Sequence, residues 1–248
     1  MNNQKDNPRN LHNDLKVCKE HIQSLLEASE ILYNNNKYPI ALSLSVLAHE
    51  ELSKMKLVLE KIINNEILTK KEWNKLSKSK THTRKLQGPY IDSTERMSKI
   101  GPEFYNFTKN NMAKLGYKPF TKDYDSAKMK NSSILKNFQF LNEIKKDSFH
   151  MRYHNPTLYV TPNTKQTKAL AYLERITTTS IFYGFLHTYY QFQINQGKES
   201  PDVKKLRDEF SKEKDDISNE IKSDSFQKKR IIGLNFIKTY SNLFSNKS

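Results

Sequence analysis

Residues 38–59 are the most informative segment of the chain and read YPIALSLSVLAHEELSKMKLVL. Apolar residues recur there at intervals of three and four, which is the spacing of an amphipathic helix that faces a core. The stripe defined by this spacing comprises Leu44, Leu47, Ala48, Glu51, Met55, Val58 and Leu59. The pattern therefore predicts one helix over this segment, with the carboxylate of Glu51 on its core-facing side.

Two adjacent acids and one lysine give this helix its candidate chemistry. Glu50 and Glu51 precede Lys54 by four and three residues, so either carboxylate can reach that ammonium along one face. A charged group on a core-facing stripe is costly unless it is paired, and a paired buried charge is a candidate functional site. The alternative interpretation is an ordinary helix with a Glu–Lys pair on its surface.

The composition favours long helices with broad polar faces. Of the 248 residues, 35% are hydrophobic, and the mean hydropathy is −0.83. Both values are low for a compact α/β enzyme. The six glycines are few for a chain of this length, and no phosphate-binding loop or dinucleotide fingerprint occurs. We therefore predict an all-α fold.

The formal net charge of +15 is spread along the whole chain. A basic surface favours nucleic acid as a partner, because contact with phosphates releases counterions, and an anionic membrane surface is the alternative. No stretch approaches the roughly 20 apolar residues that cross a bilayer, and the first residues lack the apolar core of a signal peptide. The single cysteine, Cys18, cannot form an internal disulfide or a cysteine-rich metal site. We expect a cytoplasmic protein that does not bind membranes.

Hydrophobic periodicity and helix-breaking residues divide the chain into segments. We predict a disordered N-terminus over residues 1–10, a helical domain over 11–196 and a C-terminal helical extension over 197–248. The predicted helices cover about 11–33, 38–63, 70–86, 132–149, 167–193, 203–223 and 226–244. The asparagine run 34–36 ends the first helix, and Pro39 suits the first turn of the second. Residues 88–130 are predicted to form an irregular insertion or lid.

The two C-terminal helices differ in pattern. Segment 203–223 alternates charge signs, which predicts a solvated or coiled-coil-like helix. The last helix is amphipathic, and we expect its apolar face to pack on the core or on a second subunit. That face carries Ile231, Leu234, Phe236, Ile237 and Tyr240.

Three segments, in the same order along the chain, resemble the AbiV-type abortive-infection proteins. Residues 41–54, ALSLSVLAHEELSK, resemble that family's Ala-rich helix ending in Glu-Glu-Leu-Gly-Lys, with Ser53 in place of the glycine. The basic segment 79–86 that follows Trp73, and residues 145–160, which end in Leu-Tyr-Val, resemble its later segments. The resemblance covers about residues 11–195 and implies a HEPN-like helical bundle that forms a homodimer.

Many members of the HEPN superfamily are metal-independent RNases, and their usual signature is Arg, four to six further residues, then His. No arginine of this chain stands at that spacing before a histidine. The closest substitutes are Lys145 with His150, Lys75 or Lys78 with His82, and Arg152 beside His154.

Cleavage of RNA without a metal needs side chains that transfer protons and cations that stabilise a phosphorane. Histidine suits the first task near neutral pH, and lysine or arginine suits the second. The catalytic candidates are His82, His150, Arg152, His154, Glu50, Glu51 and Lys54, with a glutamate orienting a histidine or a basic group. The candidates for RNA or phosphate binding are Lys78, Lys80, Arg84, Lys85, Lys145 and Lys146. The alternative for each histidine is a surface residue of a basic helix, and His49 is predicted to be structural or on the surface; we expect no metal and no cofactor.

The resemblance implies a phage-defence effector that shuts down translation after activation by a phage-encoded protein. Two mechanisms stay open: metal-independent cleavage of an RNA, and non-enzymatic inhibition by binding RNA, the ribosome or a phage protein. The missing Arg-to-His spacing favours binding, whereas histidines near basic groups and a charged stripe favour cleavage. A membrane-surface adaptor is a weaker third interpretation, because no long basic amphipathic helix with an aromatic face occurs.

Overall fold

The computed structural model describes residues 10–77, 85–86, 141–142, 145, 165–198 and 200–245. Six helices lie in these ranges: α1 (Leu11–Asn34), α2 (Tyr38–Ile63), α3 (Lys70–Ser77), α4 (Lys165–Asn195), α5 (Pro201–Lys222) and α6 (Asp224–Ser245). The same ranges contain no strand, and the all-α prediction is confirmed. The predicted insertion over 88–130 and most of the helix predicted over 132–149 lie outside the described residues; Leu141, Asn142 and Lys145 are described and helical. The predicted domain boundaries stay predictions.

The junction between α1 and α2 is set by asparagine and proline, as the sequence predicts. Asn36 adopts a left-handed backbone with φ 59°, a conformation that asparagine tolerates better than most side chains. The N–H of Lys37 then donates to the carbonyl of Leu32 at 2.8 Å and closes the last turn of α1. Pro39 lies in the first turn of α2, where the N–H it lacks has no helical acceptor.

The core is built from α1, α2 and α4. Helix α1 runs antiparallel to α4, because His12 near its start contacts Tyr189 at 2.8 Å and Glu30 near its end pairs with Arg175 at 2.6 Å. Helix α2 also packs on both neighbours. Its fully buried residues include Ala41, Leu42, Val46, Ala48, Leu52, Met55 and Val58. Because this set covers about two thirds of the helix circumference at roughly 100° per residue, α2 is the central helix of the bundle and not a surface helix with one apolar stripe.

Helix α3 is short and is fixed at its N-terminus by a capping box. The backbone N–H of Glu72 donates to the Thr69 hydroxyl at 3.2 Å, and the Glu72 carboxylate accepts from the Thr69 N–H at 2.9 Å. Lys61 of α2 adds an ion pair to the same carboxylate at 2.9 Å. These contacts hold α3 beside the end of α2 and bring Trp73 close to Lys54.

The two C-terminal helices pack on α4 of the same chain. In α5, which the charge pattern predicts to be solvated, Leu206 and Phe210 belong to the main core, and the Phe210 ring stacks on His187 at 4.2 Å. Phe226 of α6 is fully buried in a second cluster with Tyr172, which stabilises the fold by about 2 kcal/mol. Ile231 does not pack on the core of its own chain. It is 62% exposed, because α6 turns Phe226 and Gly233 toward α4 instead. The alternative that this face packs on a second subunit stays a prediction.

Within the described residues, none of the helices is long and apolar enough to cross a membrane.

Candidate functional site

The buried carboxylate of α2 is Glu50, one position away from the predicted Glu51. Glu50 is 1% exposed and accepts a hydrogen bond from the ammonium of Lys145, which is itself buried. Glu51 lies at the edge of the core and pairs with Lys54 at 2.5 Å. The predicted register of the stripe is therefore wrong by about one residue, because the prediction assumed a single apolar face and α2 is buried on several.

Lys85 completes a group of charged side chains around Glu50. It is 5% exposed, and its backbone carbonyl accepts a hydrogen bond from the Ser53 hydroxyl at 2.5 Å. Burial lowers the pKa of the Lys85 ammonium and is the largest effect on it. The nearby carboxylates of Glu50 and Glu51 raise this pKa, and the ammonium groups of Lys54 and Lys145 lower it. We call Glu50, Glu51, Lys54, Lys85 and Lys145 the Glu50 cluster.

The Glu50 cluster has an excess of positive charge in a poorly solvated place. Three ammonium groups meet two carboxylates, and each carboxylate already has a lysine partner. Electrostatic interactions are stronger there than in water, because few water molecules screen them. A third anion, such as a phosphate group, would therefore be attracted to this cluster. The Lys54 ammonium also lies 6.0 Å from the centre of the Trp73 ring, within reach of a cation–π contact.

Ser53 is a functional candidate that was not among the site residues predicted from the sequence. It is 6% exposed and joins α2 to the backbone of the segment that carries Lys85, 32 positions away. The sequence did mark this position, since Ser53 replaces the glycine of the family's Glu-Glu-Leu-Gly-Lys segment. A glycine there could not make this hydrogen bond.

A second buried pair lies next to the Glu50 cluster. His49 Nδ1 is 2.7 Å from a carboxylate oxygen of Glu174, and the two residues are 1% and 3% exposed. The prediction that His49 is structural is supported, and the surface alternative is wrong. The pair joins the middle of α2 to α4 and so fixes the rotation of α2 that turns Glu50 toward Lys145.

The structure brings together five of the predicted site residues, namely those of the Glu50 cluster. The other predicted residues lie outside the described ranges: His82, His150, Arg152, His154, Lys78, Lys80, Arg84 and Lys146. Their roles stay predictions.

Two further features bear on the kind of site. In the described part of the chain, no group of three or more His, Cys, Asp or Glu side chains could hold a metal ion. A cavity of about 620 Å³ lies at the far end of the bundle, between the start of α1 and the ends of α2 and α4. It is lined by His12, Lys61 and Gln193 among others, and no predicted site residue contributes to it.

Comparison with known proteins gives one match. Residues 11–183, more than half of the chain, match the sequence model of the AbiV family, HEPN_AbiV. Searches of curated proteins and of solved structures gave no match. The matched range contains α1, α2, α3 and the first part of α4, together with every residue of the Glu50 cluster. The chain therefore belongs to the AbiV family of HEPN proteins, a family of abortive-infection defence.

Proposed function

We propose that this protein shuts down translation in the infected cell by cleaving RNA without a metal ion, after activation by a phage protein. The observation that carries the proposal is the ion pair between Glu50 and Lys145. Lys145 is followed by four residues and then His150, which is the spacing of the HEPN signature with lysine in place of arginine. A cation that stabilises a transition state has to be held in a fixed position, and the Glu50 carboxylate can hold the Lys145 ammonium in this way.

The reaction would be an internal transfer of the phosphodiester. The ribose 2′-oxygen attacks the adjacent phosphorus while a histidine removes its proton, and a second group protonates the departing 5′-oxygen. The bond from phosphorus to the 2′-oxygen forms and the bond to the 5′-oxygen breaks, which leaves a 2′,3′-cyclic phosphate and a 5′-hydroxyl. His150, His82 and His154 are the candidates for the two proton transfers.

The Glu50 cluster would stabilise the negative charge that develops on the phosphorane. Lys145 is held by Glu50 and Lys54 by Glu51, so neither ammonium has to reorganise during the reaction. Lys85 has a different character, since burial lowers the pKa of its ammonium and so makes it a stronger acid than an exposed lysine. Lys85 is therefore a further candidate for the group that protonates the departing oxygen.

A second candidate function is inhibition by occupancy, without cleavage. The observation that favours it is the absence of any arginine at the signature spacing, together with the net charge of +15. A basic homodimer in the cytoplasm would then bind RNA or the ribosome and block translation. This function predicts a steep dependence on salt and no new RNA ends.

A translation extract separates the two candidates. Wild-type protein, with and without a lysate of phage-infected cells, is added to the extract, and both protein synthesis and RNA integrity are followed. Cleavage predicts that arrest accompanies new RNA fragments, is lost in His150→Ala or His82→Ala, and persists at raised salt. Arrest with intact RNA that is relieved by salt supports occupancy instead, and extract that translates normally under all conditions contradicts both.

A further inference from the structure

A second group of aromatic and cationic side chains lies at the N-terminal end of α2, beside the turn that joins α1 to α2. Three tyrosines meet there: the ring centres of Tyr33 and Tyr38 are 5.3 Å apart, and those of Tyr33 and Tyr172 are 6.0 Å apart. Tyr38 precedes Glu50 by twelve residues of one helix, a separation of about 18 Å. The group is therefore distinct from the Glu50 cluster.

Three cations cover these rings. The Lys229 ammonium is 3.8 Å from the centre of the Tyr172 ring, and the Lys168 ammonium is 5.2 Å from that of Tyr38. The Arg175 guanidinium lies 5.8 Å from the centre of the Tyr33 ring and 6.0 Å from that of Tyr172. Lys168 and Arg175 belong to α4, and Lys229 belongs to α6. We call Tyr33, Tyr172, Lys168, Arg175 and Lys229 the tyrosine–cation cluster.

The cations of the tyrosine–cation cluster repel one another at Lys229. Burial lowers the pKa of Lys229, Glu220 raises it, and the charges of Lys168 and Arg175 lower it further, because each of these two cations repels the Lys229 ammonium. Two carboxylates are engaged with the cluster directly: Glu30 pairs with Arg175 at 2.6 Å, and Glu220 accepts a hydrogen bond from the Tyr172 hydroxyl. A third carboxylate, Glu213, interacts electrostatically with Arg175. An anion beside Lys168 and Lys229 would offset the repulsion between these two cations.

Two buried donors in the same place have no hydrogen-bond partner among the described residues. They are the hydroxyl oxygen of Tyr33 and Nε of Arg175. The Tyr33 hydroxyl carries its proton at neutral pH, as an ordinary tyrosine does, and burial raises its pKa further, to about 12. A buried donor without an acceptor is destabilising and is rare in folded proteins unless water, an ion or a ligand satisfies it.

We propose that the tyrosine–cation cluster binds the phosphate group of a small phosphorylated ligand, at a site separate from the one that acts on RNA. Phosphate oxygens would accept from Arg175 Nε and the Tyr33 hydroxyl, and the ammonium groups of Lys168 and Lys229 would neutralise their charge. The ligand is a nucleotide or an inorganic polyphosphate, since both present this chemistry. Because the site joins α1 and α4 to α6, its occupation would also strengthen the docking of α6.

The test measures binding by calorimetry, with tripolyphosphate, ATP, GTP and a short RNA oligonucleotide as separate ligands. The site variant is Lys168→Gln/Lys229→Gln, in which glutamine retains much of each side chain over its tyrosine. The matched control is Lys222→Gln/Lys228→Gln, which removes the same charge from exposed positions of α5 and α6. Tyr33→Phe is a second site variant that removes one hydroxyl and leaves every charge in place.

We expect tripolyphosphate or the nucleotides to bind wild type and the control alike and the site variant at least roughly tenfold more weakly. Tyr33→Phe should show a smaller loss of affinity. Equal affinities for tripolyphosphate and nucleotides would identify the phosphate group alone as the ligand, and tighter nucleotide binding would add a contact to the base. The proposal is overturned if none of the small ligands binds wild type, if site variant and control bind equally, or if only RNA binds.

Discussion

The carboxylate of Glu50 accepts a hydrogen bond from the ammonium of Lys145, although 95 positions separate the two residues in the chain. Both residues are buried, and the pair joins the central helix to the segment that carries Lys145. Lys145 also stands where the HEPN signature places its arginine relative to His150. The same contact therefore has a structural effect and a proposed catalytic one, and the two can be separated.

A double-mutant cycle measures the structural effect. Glu50→Leu or Lys145→Met alone should lower the free energy of unfolding by roughly 3 kcal/mol, because each removes one charge of a buried pair. The double variant should lose less than the sum of the two, since the two charges that pair with each other are removed together. The measurement is denaturant unfolding of all four proteins.

The control for this cycle is the pair of Lys19 and Glu209, which lie 2.9 Å apart and are partly exposed. Its coupling energy should be below about 1 kcal/mol, as for other solvent-accessible pairs. A Glu50–Lys145 coupling no larger than this would show that the buried pair does not hold the site together.

Ser53→Ala tests whether α2 positions the backbone at Lys85. The change removes the hydroxyl that donates to the Lys85 carbonyl and should cost about 1 kcal/mol of stability. Ser43→Ala is the matched control, because the Ser43 hydroxyl donates within its own helix to Pro39 at 3.0 Å. We expect the control to change stability by about 0.5 kcal/mol or less, because a serine bonded to the carbonyl four residues earlier adds little to a helix and alanine has the higher helix propensity. Equal effects of the two substitutions on stability would argue against a specific role for Ser53.

The buried ammonium of Lys85 predicts a dependence of stability on pH. Because burial lowers its pKa from 10.5, the folded state disfavours the charged form, and stability rises as the pH increases from the lowered pKa toward 10.5. Lys85→Met removes this penalty, so its advantage over wild type should be largest near neutral pH and shrink toward pH 10.5. In Lys85→Arg the side chain stays charged throughout this range, so the loss of stability from burying a charge should persist. A Lys85→Met advantage that does not change with pH would contradict the assignment.

Tyr33 predicts a dependence of the opposite sign at higher pH. Its pKa is raised from 10.0 to about 12, chiefly by burial, so its contribution to stability is complete below pH 10 and is lost as the pH rises to about 12. Tyr33→Phe does not titrate. The stability of wild type relative to this variant should therefore fall between pH 10 and 12, as measured by denaturant unfolding across that range. A constant difference would show that the Tyr33 hydroxyl is exposed to solvent.

The helices were predictable where local chemistry sets their ends. Asparagine at residues 34–36 and Pro39 placed the turn between α1 and α2 correctly, because both act through backbone conformations of their own residues. The identity of the buried carboxylate was not predictable in the same way. Helical spacing describes one apolar face, whereas α2 is covered by more than one neighbour, so Glu50 and not Glu51 is enclosed.

Contacts across the chain were beyond the reach of the sequence pattern. The helical spacing predicted that Glu50 or Glu51 can reach Lys54, and Glu51 is the one that pairs with it. Nothing local indicates that Glu50 contacts Lys145, that Ser53 contacts the Lys85 backbone, or that His49 contacts Glu174. Ile231 illustrates the same limit, since the amphipathic pattern of α6 did not reveal which side would face α4.

The most direct test of the proposed function is to map RNA ends after incubating total cellular RNA with purified protein and phage lysate in the presence of a metal chelator. Four proteins are compared: wild type, Lys145→Arg, Glu50→Leu/Lys145→Met and His150→Ala. We predict the same discrete new ends, with 5′-hydroxyl groups, for wild type and for Lys145→Arg, because both place a cation before His150. The other two should yield none. Intact RNA with every protein, or identical ends from the Glu50→Leu/Lys145→Met variant, would contradict the claim that this buried pair serves RNA cleavage.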